Sequence, residues 1–201
     1  EVVDRHGGRV VSDEVHAPLT YSGGSHTPYA SISPVTANHA LTLVSASKAW
    51  NLPGLKCAQI IVSSDLDEER WRSIPRLKTH GASTLGIRAN VAAFREGGAW
   101  LDAALAYLDG NRRYLGELLT EHLPDVTYVV PEATYLAWLD CRALDLPTDA
   151  ATFFLEHAKV AINPGAAFGA DGTGHVRFNF ATSRAILEQA VSAMGAAVSR
   201  R

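Results

Sequence analysis

Two serines and a lysine lie close together in Ser45-Ala46-Ser47-Lys48, directly after the apolar run Leu41-Thr42-Leu43-Val44. Hydroxyls and nearby backbone N–H groups bind phosphate oxygens, and a lysine in a partly dry pocket can lose its proton and attack a carbonyl. A second cation, Lys56, follows Lys48 by eight residues, just past Pro53-Gly54. The spacing indicates an anion held beside a reactive amine, although Ser-x-Ser-Lys alone is more often a strand end with a solvated lysine.

An acidic residue lies upstream of this segment, at the end of another predicted strand. Asp13 follows Arg9-Val10-Val11-Ser12, a short run typical of a buried parallel strand, and precedes Lys48 by 35 residues. Ligands of open α/β sheets lie outside the carboxyl ends of the strands, so Asp13 is well placed to meet one. The alternative for Asp13 is an acidic helix cap after a strand. We expect a structural or solvated role for its neighbour Glu14.

The composition is that of an ordinary soluble chain, with 201 residues, 47% hydrophobic and 19% charged, and a net charge of −3. The near-neutral charge gives no electrostatic reason to expect nucleic acid or membrane as a partner. No apolar run approaches the ~20 residues of a membrane helix, and Glu1 begins no signal peptide, so a cytoplasmic location is expected. Cys57 and Cys141 match no metal spacing and are expected to be buried thiols, and no metal site is expected.

The pattern of apolar residues predicts an α/β half, roughly 1–97, followed by an α+β half, roughly 98–201. Strands are predicted at 9–12, 41–44, 57–62, 126–130, 134–139 and 175–180. Helices are predicted at 66–77 with Asp65 as N-cap and an end disturbed by Pro75, at 83–95, at 99–123 with an interruption at Gly110, at 148–157 with Thr148 as N-cap, and at 183–198.

Four segments, in this order and with these gaps, resemble the pyridoxal-phosphate (PLP) enzymes of the aspartate aminotransferase fold, and within them the cystathionine β-lyase-like branch. They are Ser12-Asp13-Glu14-Val15-His16, Ser45-x-Ser47-Lys48, Asn51-Leu52-x-Gly54-Leu55, and Pro164-Gly165-x-x-Phe168-Gly169 followed by His175-Val176-Arg177. Any one of these segments is weak evidence for the family, but four in this order and with these gaps are strong evidence. The resemblance covers the chain from about Val10 to about Ala190. The resemblance implies that residues 1–97 are the carboxyl-terminal portion of the large PLP-binding domain and residues 98–201 the small carboxyl-terminal domain.

The resembled enzymes begin well upstream of Glu1. Their upstream part carries a Gly-containing phosphate loop, an aromatic ring that stacks on the cofactor, and an asparagine near its phenolic oxygen. The chain is therefore expected to be the carboxyl-terminal half of such an enzyme and to be catalytically poor by itself. The resemblance also implies a homodimer, since enzymes of this family build each active site across two subunits, and a small amino-acid substrate.

The resemblance assigns roles to five residues of the first half. Lys48 would hold the PLP aldehyde covalently and, once freed by the substrate amine, act as the general base at Cα. Asp13 would keep the pyridine nitrogen protonated, because the ring withdraws electrons from Cα only in that form. Ser45 and Ser47 would contact the phosphate. Lys56 would join them, although it stands where the family most often has arginine and cannot make a bidentate contact.

Two further residues bear on the substrate and the reaction. His16 stands where aminotransferases of this fold usually carry a tyrosine near the phenolic oxygen of the cofactor, and an imidazole could still bond that oxygen. The alternative for His16 is a structural histidine that a nearby carbonyl satisfies. Arg177 would hold the substrate α-carboxylate through two parallel hydrogen bonds, and its alternative is a solvated strand arginine.

The resemblance leaves the reaction open. Asp13-x-x-His16 and the continuation Asn51-Leu52-Pro53-Gly54 favour β-elimination at a C–S bond, with a cystathionine-like or S-substituted cysteine as the substrate. Transamination is the alternative reaction of the same family. A third interpretation is a truncated, non-catalytic domain that binds a phosphorylated small molecule or a partner surface.

Overall fold

A computed structural model describes residues 1–201, and contacts within the chain group them into two units, 1–104 and 105–201. The first unit contains a mixed three-stranded sheet with helices, and the second contains an antiparallel four-stranded sheet with helices. This arrangement agrees with the predicted α/β class. The assignment of residues 1–97 and 98–201 to a large and a small domain stays a prediction.

The sheet of the first unit consists of β1 (Val10–Asp13), β2 (Ala40–Val44) and β3 (Gln59–Val62), in that spatial order. β1 runs parallel to β2, which confirms the parallel strand expected there, and β3 is antiparallel to β2. The prediction that β1 is buried is wrong, because alternate residues face solvent and Val11 is 61% exposed. In the parallel pair Asp13 lies opposite Leu43, so both strands end at the same edge.

The helices of the first unit are α1 (Val2–Arg5), α2 (Pro34–Asn38), α3 (Asp65–Ser73), α4 (Arg76–Thr79) and α5 (Thr84–Glu96). The helix expected over 66–77 is divided into α3 and α4 at Pro75, the residue expected to disturb its end. Pro75 separates α3 from α4, because it offers no N–H and forces the preceding Ile74 into an extended conformation with ψ 128°. The N-cap of α3 is Ser64 rather than Asp65, and the Ser64 hydroxyl accepts the Asp67 N–H at 3.3 Å.

Helix α6 (Gly98–His122) continues without a break through Gly110, so the expected interruption there is wrong. A glycine inside a helix costs about 1 kcal/mol relative to alanine. The leucines that α6 buries on both sides of Gly110 outweigh that cost, since each buried leucine contributes roughly 1.5–3 kcal/mol. They are Leu108, Leu115, Leu118 and Leu119.

The sheet of the second unit has the order β4 (Thr127–Tyr128), β5 (Leu136–Asp140), β7 (His175–Asn179), β6 (Asn163–Pro164), with every neighbouring pair antiparallel. Helix α7 (Ala150–Phe153) is shorter than expected, because the chain continues as a π-helical turn over Phe154–Ala158. Asp149 caps α7 through the N–H groups of Ala151 and Thr152, so the prediction of Thr148 as the cap is wrong. Helix α8 (Arg184–Ser199) closes the chain.

The core of the second unit forms where β5 and β7 meet the helices. Buried apolar side chains alternate along β7 and recur at helical spacing along α8, which is the pattern of a one-sided sheet covered by helices. They include Leu139, Val176, Phe178, Phe180, Leu187, Val191 and Met194. Among the helices, none combines the length and the apolar composition needed to cross a membrane.

Candidate active site

The turn that follows β2 is held together by the Ser45 hydroxyl. Ser45 is only 4% exposed, and its Oγ donates to the Cys57 carbonyl at 2.6 Å. The same oxygen accepts the Ser47 N–H at 3.0 Å and lies 2.7 Å from Ser47 Oγ. Because its only proton goes to Cys57, Ser45 Oγ fixes the Ser47 backbone and side chain at the strand end. Ser47 itself is half-buried.

Asn90 of α5 makes the second long-range bond to this turn. Its Oδ1 accepts the Ala46 N–H at 2.9 Å, and its Nδ2 donates to the Gly86 carbonyl at 3.0 Å. Asn90 is 2% exposed, and a buried amide keeps its place only when its polar atoms are paired. The sequence interpretation missed Asn90, although a polar residue among apolar ones on a helix that buries Gly86 and Ala93 is a signal of this kind.

Lys48 occupies a helical turn that begins directly after Ser45. The Trp50 N–H donates to the Ala46 carbonyl at 3.1 Å, and the Leu52 N–H donates to the Ser47 carbonyl at 3.1 Å. The Lys48 side chain is exposed and has neither a hydrogen bond nor an ion pair. The turn therefore presents an amine whose nitrogen no other group of the chain engages.

Lys56 lies with Ser47 on one open cleft of about 490 Å³ in the first unit. Lys56 has a left-handed backbone conformation, with φ 51°, and its side chain is exposed. The structure thus brings together the hydroxyl and the cation that the sequence assigns to an anion. Ser45 is buried behind them and does not line the cleft.

Asp13 is the last residue of β1, at the same sheet edge as the turn after β2. Its carboxylate is exposed, and its Oδ1 accepts the Val15 N–H at 3.3 Å. His16 is half-buried, and its carbonyl accepts the Leu19 N–H at 2.9 Å, which begins a short 3₁₀ turn. Asp13 therefore ends the strand that runs parallel to β2, and His16 follows it.

Glu14 is a buried carboxylate with three hydrogen bonds. Its Oε1 accepts the Ser12 hydroxyl and the Tyr29 N–H, each at 2.9 Å, and its Oε2 lies 3.0 Å from His26 Nε2. Burial is the largest single influence on the pKa of Glu14 and raises it, but the bonds from His26, Tyr29 and Ser12 together bring the pKa below 4.5. Glu14 therefore ties the loop that carries His26 to the end of β1, which is the structural one of the two roles expected for it.

Arg177 belongs to the second unit, on β7 between β5 and β6. Its Nη2 donates to Asn163 Oδ1 at 3.1 Å, and its guanidinium carbon lies 4.5 Å from the centroid of the Phe168 ring. The Phe168 ring in turn meets Trp138 edge-on at 5.8 Å. These contacts orient the guanidinium plane and leave donor N–H groups for a carboxylate. Asn163 and Trp138 were not among the residues predicted from sequence.

No three His, Cys, Asp or Glu side chains come together in a way that could hold a metal ion. The two cysteines are free and buried. Burial raises the pKa of the Cys141 thiol to about 12, and the charge of Asp140 adds to the shift. A nucleophilic role for Cys141 at neutral pH is incompatible with that pKa.

Comparisons with known proteins agree on one family. The family model described as aminotransferase class I and II matches residues 1–194. A protein of Mycobacterium tuberculosis (strain ATCC 25618 / H37Rv), named as a candidate cystathionine beta-lyase, is 50% identical over 218 aligned positions, covering 100% of this chain and 53% of the relative. The cystathionine beta-lyase of Corynebacterium glutamicum is 38% identical over 189 positions, covering 94% of this chain and 50% of the relative.

A solved structure shows the same fold over half of its length. The PLP-bound C-S lyase from Staphylococcus hominis superposes with a TM-score of 0.90 at 32% identity, covering 100% of this chain and 52% of the other. The chain therefore spans about half the length of the curated relatives and the solved structure that it matches.

Proposed function

The chain belongs to the aminotransferase class I and II family, and from that premise we propose that the protein carrying it is a PLP-dependent C–S β-lyase of amino-acid metabolism. One observation carries the proposal: Ser47 and Lys56 line one cleft, and Lys48, the residue after Ser47, has an amine that no other group of the chain engages. The names of the similar proteins favour a lyase. The family description keeps transamination as the alternative.

The donor set fits PLP. Ser47 and Lys56 would bind the phosphate, Asp13 would pair with the pyridine nitrogen, and His16 would bond the phenolic oxygen. When bound, PLP supplies an electron sink that stabilises negative charge on the substrate Cα. The Ser47 hydroxyl can turn from Ser45 Oγ to a phosphate oxygen, because Ser45 Oγ keeps the Ser47 N–H. Direct contact between Ser45 and the phosphate stays a prediction, since in this structure its proton goes to Cys57.

Lys48 would act twice through its Nζ. The amine would first hold the cofactor covalently, and after the substrate amine takes its place Nζ would remove the Cα proton. The protonated Lys48 could then assist the departing sulfur, although a thiolate also leaves unaided. No carboxylate of the chain pairs with Lys48, which leaves its Nζ available for both steps.

Arg177 would hold the α-carboxylate of the substrate. Asn163 and Phe168 support this role, because they engage one Nη and one face of the guanidinium and so limit its rotation. A carboxylate held by two parallel hydrogen bonds is oriented as well as bound. Orientation matters here, because the base can remove the Cα proton only when the Cα–H bond points at it.

The reaction type is tested by incubating the PLP-loaded protein that carries this chain with cystathionine and no keto acid. A β-lyase releases pyruvate and ammonia under these conditions, and both can be measured with coupled enzymes. A transaminase needs the keto-acid acceptor and releases no ammonia. Absence of pyruvate, followed by fast amino transfer once a keto acid is added, would assign the protein to the aminotransferase alternative.

The assembly and location are proposals of the same kind. We expect a homodimer in the cytoplasm, with a small amino acid as the ligand and neither nucleic acid nor membrane as a partner. Sedimentation of the PLP-loaded protein tests the assembly. A monomer that retained full turnover would contradict an active site built across two subunits.

A further inference from the structure

The end of α4 and the segment that joins it to α5 form one wall of the cleft that holds Ser47 and Lys56. Lys78, Thr79, His80, Gly81 and Ala82 line that wall, and none of them was assigned a role from the sequence. The opposite wall contains Ser47, Pro53, Lys56, Cys57 and Ala58. Residues that lie 20 or more positions apart in the chain therefore face the same space.

The cleft is electropositive. Lys56, Lys78 and His80 line it, and no aspartate or glutamate does. None of these three side chains forms an ion pair or a hydrogen bond within the chain, and all are exposed. Two ammonium groups facing one space repel each other, and an anion in that space would remove the repulsion. The charge distribution thus matches an oxyanion.

The position of this wall is set by the start of α5. Ser83 Oγ donates to the Leu55 carbonyl at 2.7 Å, and the Ser83 N–H donates to the Lys56 carbonyl at 3.4 Å. Gly86 lies so close to Leu55 that a Cβ there would collide with the Leu55 carbonyl oxygen. These contacts hold residues 78–82, which lead directly into α5, beside Lys56.

We propose that Lys78 and His80 bind the same oxyanion as Ser47 and Lys56, and that this oxyanion is the phosphate of PLP. The inference rests on the proposed function. A single lysine at position 56 cannot make the two parallel bonds of an arginine. A phosphate has three terminal oxygens and a charge near −2, so it can accept from both ammonium groups, the imidazole and the Ser47 hydroxyl. Lys78 and His80 supply the donors that Lys56 lacks.

The test measures how tightly the apoprotein binds PLP and pyridoxal, which lacks the phosphate. The protein that carries this chain is stripped of cofactor, and each ligand is titrated while its absorbance is followed. We expect Lys78→Gln to raise the Kd for PLP by about tenfold, the loss of one charged hydrogen bond. His80→Gln should raise it less, and neither variant should change the Kd for pyridoxal. Arg76→Gln is the matched control, because Arg76 is an exposed cation of α4 outside the cleft.

The inference is overturned if the Kd for PLP is unchanged in Lys78→Gln. It is also overturned if the Kd values for PLP and pyridoxal rise equally. Both results leave the proposed function standing. An unchanged Kd for PLP with a raised KM for the amino acid would assign the cleft to a substrate carboxylate and also overturn it. If the wild-type protein itself binds no PLP, the proposed function fails and the inference with it. Inorganic phosphate should compete with PLP in the wild type and compete less in Lys78→Gln.

Discussion

The two units position their candidate functional side chains by different means. In the second unit, Arg177 lies on a strand whose neighbours Val176 and Phe178 are buried in a deep apolar core. In the first unit, the turn that carries Lys48 is fixed mainly by hydrogen bonds from Ser45 and Asn90. The large apolar side chains that are fully buried lie almost entirely in the second unit, with Leu19 the exception.

This difference has a physical consequence. A unit with an apolar core tolerates the loss of one hydrogen bond, but its free energy of unfolding falls by several kcal/mol when a large buried side chain is truncated. A turn held by buried polar groups depends on each of them, because an unpaired buried donor or acceptor costs roughly 1–3 kcal/mol. The first unit should therefore be sensitive to polar substitutions and the second to apolar ones.

The largest effect should come from the first unit and be chemical. Lys48→Ala should lower turnover by about 10⁴-fold or more, the upper range of what a general base supplies. Lys48→Arg keeps the charge but cannot attach the cofactor, so it should lose as much. Steady-state kinetics of the PLP-loaded protein check this. Turnover by Lys48→Arg near the wild-type rate would remove Lys48 from the chemistry.

The next effect should come from the core of the second unit. Phe180 is fully buried, and Phe180→Ala should lower the free energy of unfolding by about 3–5 kcal/mol through lost burial and the cavity left behind. The control is Ile186→Ala, since Ile186 is 56% exposed, with an expected change within about 0.5 kcal/mol. Hydrogen exchange of β5 and β7 peptides reports the loss. Equal protection in both variants would contradict the core described above.

A substitution of Arg177 tests whether the second unit contributes to substrate binding rather than to the chemical step. Arg177→Lys should raise KM for the amino acid by about tenfold, because a lysine cannot keep both hydrogen bonds to a carboxylate. The fall in kcat should be smaller. Arg113→Lys, an exposed arginine of the same unit, should change neither constant. An unchanged KM in Arg177→Lys would exclude the carboxylate-binding role.

Two serine caps compare the units directly. Ser83 accepts the Gly86 N–H at 2.9 Å and also donates to Leu55, whereas Ser183 only accepts the Ile186 N–H at 3.3 Å. Ser83→Ala should therefore cost about 1–2 kcal/mol and Ser183→Ala about 0.5–1 kcal/mol. Denaturant titration of both variants provides the values. A larger loss in Ser183→Ala would reverse the proposed sensitivity of the first unit to polar changes.

The smallest effect should be a pH dependence from Glu14. The pKa of Glu14 is lower in the folded state than its ordinary 4.5, so its stabilising contribution is present above pH 4.5 and is lost as the pH falls through the folded pKa. Glu14→Gln should abolish this decrease in stability at low pH. Glu69→Gln, at an exposed position of α3, should leave it unchanged. Melting temperatures between pH 6 and pH 3 compare the variants. If the melting temperatures of wild type and Glu14→Gln fell equally with pH, the hydrogen bonds of Glu14 would not stabilise the folded protein.

Local patterns were sufficient for much of the fold. The apolar runs predicted β2, β7 and the parallel strand β1, and the spacing of leucines predicted α6, which began and ended within a residue of the expected 99–123. The helix expected over 66–77 is divided at Pro75, the residue expected to disturb its end, and its N-cap is Ser64 instead of Asp65. Such features depend on neighbours a few positions apart in the chain, and a sequence pattern contains that information.

The sequence by itself also determined the chemical candidates, because Asp13, Ser47, Lys48 and Lys56 follow strand ends at characteristic spacings. Only the tertiary structure decided which groups support them. Asn90 reaches Ala46 across 44 positions, and Lys78 meets the cleft of Lys56 because Ser83 anchors α5 on Leu55. Such pairings depend on how the chain folds back on itself, and a local residue pattern contains no information about which distant side chain will satisfy a buried polar group.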